Sequence, residues 1–115
     1  VERVSISTHI LNTSTGWPAV HVPVELDRMA DGEWQTLNAA HTDADGRIKH
    51  LLPENEPMVP GIYCARFATG IYYERENVKG LYPYVEITFI VMPDQHHYHI
   101  PLLLTPNSYT TYRGS

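Results

Sequence analysis

An all-β fold, a sandwich of antiparallel strands, is what this chain predicts, and three observations carry it. Apolar and polar residues alternate in period two over segment after segment, the pattern of half-buried strands. Runs rich in Gly, Pro, Asn and Asp interrupt those segments at short intervals. Only one stretch, Tyr72 to Lys79, has helical character, and it is short and charged. Seven or eight strands with one helical turn make a β-sandwich. At 115 residues and 43% hydrophobic content, residues 1–115 are one domain, large enough to bury a core and too small for two.

The elements follow in order. Val4, Ile6, Thr8 and Ile10 point to one side of a first strand, and Ser5, Ser7, His9 and Leu11 to the other. A turn-like run from Asn12 to Pro18 follows. Val20, Val22, Val24 and Leu26 define a second strand, closed by Ala30-Asp31-Gly32-Glu33, and Trp34 to Ala40 a third. Thr42-Asp43-Ala44-Asp45-Gly46 is a strong turn signal, since Gly46 can take a positive φ, and it delivers Arg47 onto a strand from Ile48 to Leu52. Pro53 to Pro60 is a loop, Ile62 to Ala68 a strand, and Leu81-Tyr82-Pro83 ends the helix. Val85, Ile87, Phe89 and Val91 form the next strand, His97 to Leu104 another, and Tyr109 to Tyr112 a short last one after the turn at Thr105-Pro106-Asn107-Ser108.

Composition excludes whole classes of function. A formal charge of −5 leaves no basic stripe for nucleic acid. Val85 to Met92, the longest apolar stretch, is broken by Glu86 and Thr88 and is too short to span a bilayer. The single cysteine, Cys64, permits no intrachain disulfide and fits a reducing compartment, and it lies in an apolar strand where it is expected to pack. No signal peptide and no Ser-Lys-Leu-type address is visible, so a cytoplasmic setting is expected, or a peroxisomal or periplasmic one if an N-terminal segment has been removed. Phosphate loops, nucleophile elbows and paired carboxylates are all missing.

Seven histidines are many for this length. His9 lies mid-strand on the polar side. His97 and His99, two apart, share a face of another strand, and Arg47 opens a strand directly after a tight turn. The segment Tyr112-Arg113-Gly114-Ser115 adds an aromatic, a fixed cation, a flexible glycine and a hydroxyl. Imidazoles with a guanidinium and a hydroxyl suit hydrolysis of an electron-poor carbonyl. Neutral imidazole takes a proton from water at physiological pH. Arginine binds carbonyl-rich or anionic ligands and stabilises an oxyanion as it forms. The same residues admit blander readings. A strand histidine is more often structural than catalytic. His97 and His99 could also hold a zinc ion with His9 or His50 as third ligand, although no acidic or cysteine partner stands close in sequence. His21, His41, His50 and His96 look like edge or surface residues and receive no role.

Four motifs, taken together, resemble the 5-hydroxyisourate hydrolase family, the transthyretin-like enzymes of urate breakdown. They are Ser7-Thr8-His9-Ile10-Leu11-Asn12 with Gly16-x-Pro18-Ala19, Thr42-x-x-Asp45-Gly46-Arg47, His97-Tyr98-His99-Ile100-Pro101-Leu102-Leu103-Leu104, and Tyr112-Arg113-Gly114-Ser115. They run in the family's order over nearly the whole chain. Asn12 stands where many members carry Asp, and His96 adds an imidazole beside the third motif; neither falls on a matched catalytic position.

The resemblance implies a transthyretin-like sandwich of two four-stranded sheets and a homotetramer, a dimer of dimers with active sites where the pairs stack. It implies conversion of 5-hydroxyisourate to 2-oxo-4-hydroxy-4-carboxy-5-ureidoimidazoline, with no metal and no organic cofactor. On this resemblance His9, Arg47, His99 and Ser115 are the expected catalytic set. His9, Arg47, Tyr112, Arg113 and Gly114 are expected to hold the substrate, the four terminal residues folding into the interface. Either His9 or His99 fits the part of base. The competing expectation within the same fold is a thyroid-hormone-type carrier, which needs an apolar channel that histidines and arginine would line poorly.

Overall fold

The computed structural model describes residues 5–115, so the first-strand position expected for Val4 lies outside the described residues. Ten elements follow one another: β1 (Ser5–Asn12), β2 (Trp17–Pro18), β3 (Pro23–Ala30), β4 (Glu33–His41), β5 (Arg47–Ile48), β6 (Gly61–Phe67), α1 (Thr69–Arg75), β7 (Val85–Val91), β8 (His97–Thr105) and β9 (Ser108–Thr111). They form two sheets. One runs β2-β1-β8-β9 with β5 also paired to β1, and the other runs β4-β3-β6-β7.

The period-two pattern becomes two faces. From β1 and β8 the side chains of Ile6, Ile10, Tyr98, Ile100, Leu102 and Leu104 turn inward and are buried. They meet Val24, Leu26, Tyr63, Ala65, Phe67, Val85 and Val91 of the other sheet in one apolar core. The alternate positions, Ser5, Ser7 and His9 on β1 with His97 and His99 on β8, are left on the outer face of the first sheet. Thr8 shares the inward side with the apolar residues, and its hydroxyl is satisfied by donating to the Ile100 carbonyl at 2.6 Å.

The all-β sandwich with one short helix stands as expected, with four differences. β1 and β8 run parallel, although every other pair is antiparallel, so the first sheet is mixed and holds five strands rather than four. That pairing joins residues 92 apart in sequence, which no local turn signal announces. The helix begins at Thr69, immediately after β6, instead of at Tyr72, and the chain leaves helical geometry at Asn77, whose φ is +55°. The second strand starts at Pro23 rather than Val20, because His21 takes a φ of +59° and the Val22 N–H is held by the Thr42 hydroxyl instead of a strand partner. Finally, only Arg47 and Ile48 of the expected segment 48–52 pair as strand. Leu51 and Leu52 bend in to be buried, with the Leu51 N–H donating to the Ile6 carbonyl.

Cys64 is buried on β6, and burial pushes its thiol pKa up, as suits a packed rather than a reactive cysteine. Asn12 closes β1 as a turn residue. Its Oδ1 accepts from the Ser14 N–H and its Nδ2 donates to the Tyr72 hydroxyl, tying the first strand to the helix.

Candidate active site

Arg47 owes its position to the turn before it. The Asp43 Oδ1 accepts hydrogen bonds from the N–H groups of Asp45 and Arg47, at 2.9 and 3.0 Å, and the Asp43 N–H donates to the Arg47 carbonyl. These two bonds to N–H groups hold the Asp43 carboxyl below its ordinary pKa. Gly46 is essential here. Its φ is +73°, and a Cβ at this position would stand 2.6 Å from the Ile10 carbonyl oxygen and 2.9 Å from Pro18 Cβ. Only a bare backbone comes close enough for the Gly46 carbonyl to accept from Ile10 N–H at 2.8 Å. That contact docks the turn on β1 and sets Arg47 directly opposite His9.

The parallel pairing of β1 with β8 supplies the next neighbours. Its register aligns Ser5 with His97 and Ser7 with His99. Both pairs are hydrogen-bonded through the histidine Nδ1, at 2.5 and 2.8 Å respectively. Ser5, Ser7, Arg47, His97 and His99 line a single pocket of about 310 Å³ on the outer face of the sheet, together with Lys49, His50 and Ser115. Among the described residues no Asp or Glu side chain lines it.

The final residues reach this pocket in part. The Gly114 N–H donates to the His99 carbonyl at 2.9 Å, and the glycine backbone lies against the imidazole so closely that a Cβ there would be 2.3 Å from His99 Cδ2. Ser115 follows into the pocket lining. Arg113 turns the other way: its guanidinium donates to Gln95 Oε1 at 2.9 Å and sits over the Tyr98 ring, 4.5 Å from the centroid. Tyr112 and Arg113 border a separate hollow with Ile87, Phe89 and Ile100. Within one chain, therefore, Arg47, His99, Gly114 and Ser115 come together, whereas Tyr112 and Arg113 do not join them. His9 is not a lining residue of the pocket. It stands beside Arg47, near enough for its charge to act on His99.

Both of these imidazoles are held below their ordinary pKa. For His9 burial is the main cause and the Arg47 charge the second, partly offset by a backbone hydrogen bond to Asp45 and by the Asp43 and Asp45 charges. For His99 burial again leads, followed by the charges of Arg47, His9 and His97. Both shifts favour the neutral ring at pH 7, the form that accepts a proton from water. Among the described residues no three His, Cys, Asp or Glu side chains are grouped to hold a metal ion, so the zinc arrangement weighed for His97 and His99 with His9 or His50 is not assembled.

Sequence reasoning missed Ser5, Ser7 and Lys49, and gave His50 no role. The missing signal is the strand register. Without it, Ser7 and His99 are two polar residues at opposite ends of the chain.

The family model described as "Transthyretin: HIUase/Transthyretin family" matches residues 6–114. A protein from Salmonella dublin named 5-hydroxyisourate hydrolase is 44% identical over 110 residues, covering 96% of this chain and 80% of its own. The mouse protein of the same name is 38% identical, covering 99% and 98%. Among solved structures, Klebsiella pneumoniae 5-hydroxyisourate hydrolase superposes with a TM-score of 0.85 at 38% identity, covering 97% of this chain and 99% of that one. Sea bream transthyretin, solved in complex with thyroxine, superposes at 0.87 with 32% identity, covering 95% and 93%. The match spans every strand that builds the pocket, and the chain belongs to the HIUase/transthyretin family.

Proposed function

We propose that this chain hydrolyses 5-hydroxyisourate, opening the six-membered ring at a C–N bond to give 2-oxo-4-hydroxy-4-carboxy-5-ureidoimidazoline. The observation that carries the reading is the meeting of Arg47, His99 and Ser115 in one pocket with His9 across from Arg47, in a chain whose relatives bear that enzyme's name. A neutral imidazole takes the proton of a water molecule as it attacks the ring carbonyl. Arg47, fixed by its turn, stabilises the oxyanion that develops and holds the anionic product. Ser115 adds a hydroxyl beside His99 to orient the water. No cofactor enters the scheme.

The assembly we propose is a homotetramer, a dimer of dimers, in which a second pair of subunits covers the outer face of the β1–β8 sheet and closes the pocket. Tyr112, 55% exposed in one chain, and Arg113 would then meet the substrate or the neighbouring pair at that junction. A hormone-carrier reading is disfavoured by the lining itself, since Arg47, Lys49 and His99 make a poor bed for an apolar ligand.

The test is the decay of freshly generated 5-hydroxyisourate, followed by ultraviolet absorbance. Acceleration well above the spontaneous rate, unchanged after exhaustive chelation, supports this scheme; decay at the spontaneous rate sinks it. Loss on chelation that zinc restores would revive a metal-dependent hydrolase, and tight thyroxine binding without hydrolysis would favour a carrier.

A further inference from the structure

Hydrolysis at this site needs one proton acceptor, and the scheme above leaves two imidazoles, His9 and His99, for that part. Their hydrogen bonds differ in a way that separates their parts. The Ser7 hydroxyl lies 2.8 Å from His99 Nδ1, and that is its one hydrogen bond among the described residues. A serine hydroxyl has a single proton to donate. If Nδ1–H donated to Ser7, the half-buried hydroxyl would have no protein acceptor for its own proton. If the hydroxyl donates to Nδ1, both groups are satisfied, and the proton of the neutral ring must sit on Nε2.

The remaining surroundings favour that state. Gly114 lies on the ring's Cδ2 edge, where a Cβ would come within 2.3 Å, so the ring is held between Ser7 on one side and the tail on the other. The titratable side chains around His99 are Arg47, His9 and His97, with Lys49 and His50 in the same pocket, and among the described residues none is an Asp or Glu that would draw a proton onto the ring.

We propose that Ser7 is a positioning residue that holds His99 as the Nε2–H tautomer, so that His99 donates a hydrogen bond to the reacting carbonyl while His9 is the base. The proposal rests on the hydrolysis reading above and divides its labour. Water oxygen forms the new C–O bond and its proton passes to His9. The C–N bond then breaks, its electron pair stays on the ring nitrogen, and that nitrogen takes the proton back from His9. His99 transfers no proton. As a neutral donor it polarises the carbonyl and, with Arg47, holds the oxyanion.

Two measurements on the full chain test this. In long-range ¹H–¹⁵N correlation spectra of protein carrying ring-¹⁵N histidine, His99 is expected as the Nε2–H form without any substrate present. Ser7→Ala should mix the tautomers, and Ser7→Thr should restore the single form. Wild-type His99 found as Nδ1–H overturns the proposal. In kinetics, Ser7→Ala should lower kcat by about three- to ten-fold, the size of one neutral hydrogen bond, with Ser7→Thr recovering most of it. The acid limb of the kcat/KM profile belongs to His9 and should stay in place in Ser7→Ala. A limb that moves with Ser7→Ala assigns the base to His99 and overturns the division. Because the tautomer is read without substrate, a failure of the hydrolysis reading and a failure of the tautomer assignment are seen separately.

Discussion

Asp43 accepts a hydrogen bond from the backbone N–H of Arg47 at 3.0 Å, so the cation that faces His9 is anchored by its own main chain before its side chain makes any contact. Arg47 inherits its place on the strand from a turn of four residues. Disturbing that turn should therefore disturb catalysis from a distance.

Gly46→Ala is expected to be the most damaging change of this kind. The left-handed backbone costs an alanine about 1–2 kcal/mol, and the Cβ would collide with the Ile10 carbonyl and Pro18 besides. Urea denaturation should show a lowered midpoint with an unchanged slope, together with a fall in kcat/KM. Wild-type values for both would refute the role given to this turn.

Arg47→Lys keeps a positive charge but loses the planar fork. Arg47→Ala loses both. Turnover of 5-hydroxyisourate should fall by roughly 10²-fold or more in the alanine variant, the scale of one oxyanion contact, and by less in the lysine variant. Equal activity in all three proteins would remove Arg47 from the reaction.

His9 and His99 titrate below the ordinary histidine value of 6.5. The folded protein thus binds fewer protons than the unfolded chain once the pH drops below that value. Their contribution to stability is complete above pH 6.5 and is lost progressively as pH falls from there through the lower folded values. The urea midpoint should decline from pH 7.5 to 5.5, and less steeply in a His9→Gln/His99→Gln double variant. Activity should persist somewhat below pH 6.5 for the same reason. A midpoint that rises on acidification over this range contradicts the assignment.

Gly114→Ala tests the contact of the tail with the His99 ring. The added methyl would fall 2.3 Å from His99 Cδ2, so either the ring or the tail must move. Activity should drop by about ten-fold or more, on the scale of a displaced oxyanion donor, while the thermal midpoint changes little because β9 and the core are untouched. Deleting residues 112–115 should have the same signature. Loss of folding in either variant would show the tail to be structural instead.

Much of this site was legible in residues and some was not, for a physical reason. The alternation in Ser7-Thr8-His9-Ile10 and in His97-Tyr98-His99-Ile100 assigned each side chain to a face, because period two is a property of single strands. Asp43 and Gly46 announced a turn, because turn chemistry is local. What joins β1 to β8 is not local, so Ser7 and His99 remained strangers, and an antiparallel arrangement was expected where a parallel pair stands. The bend that buries Leu51 and Leu52 escaped for a related reason: an apolar run reads alike whether it extends a strand or caps a core. The tail posed a different problem. Gly114 and Ser115 approach His99, but the guanidinium of Arg113 finds a better partner in the Tyr98 ring, a choice made by the folded surface.

The offset of 92 residues between paired positions of β1 and β8 has a consequence during synthesis. β1 leaves the ribosome ahead of every other described strand, yet the neighbour that completes its outer face is the eighth of these nine strands. Until His97 to Thr105 are free, Ile6 and Ile10 have no β8 beside them and Ser7 has no histidine to meet. A nascent chain that stops short of His97 therefore carries Arg47 and His9 but lacks the β8 residues that line the pocket. Pairing at so large a sequence separation slows the final closure of the sheet and leaves an apolar strand edge uncovered while it waits. Stalled or truncated products should accordingly be inactive and prone to aggregate, and competence should arrive in one late step, when the first strand and the penultimate strand come together.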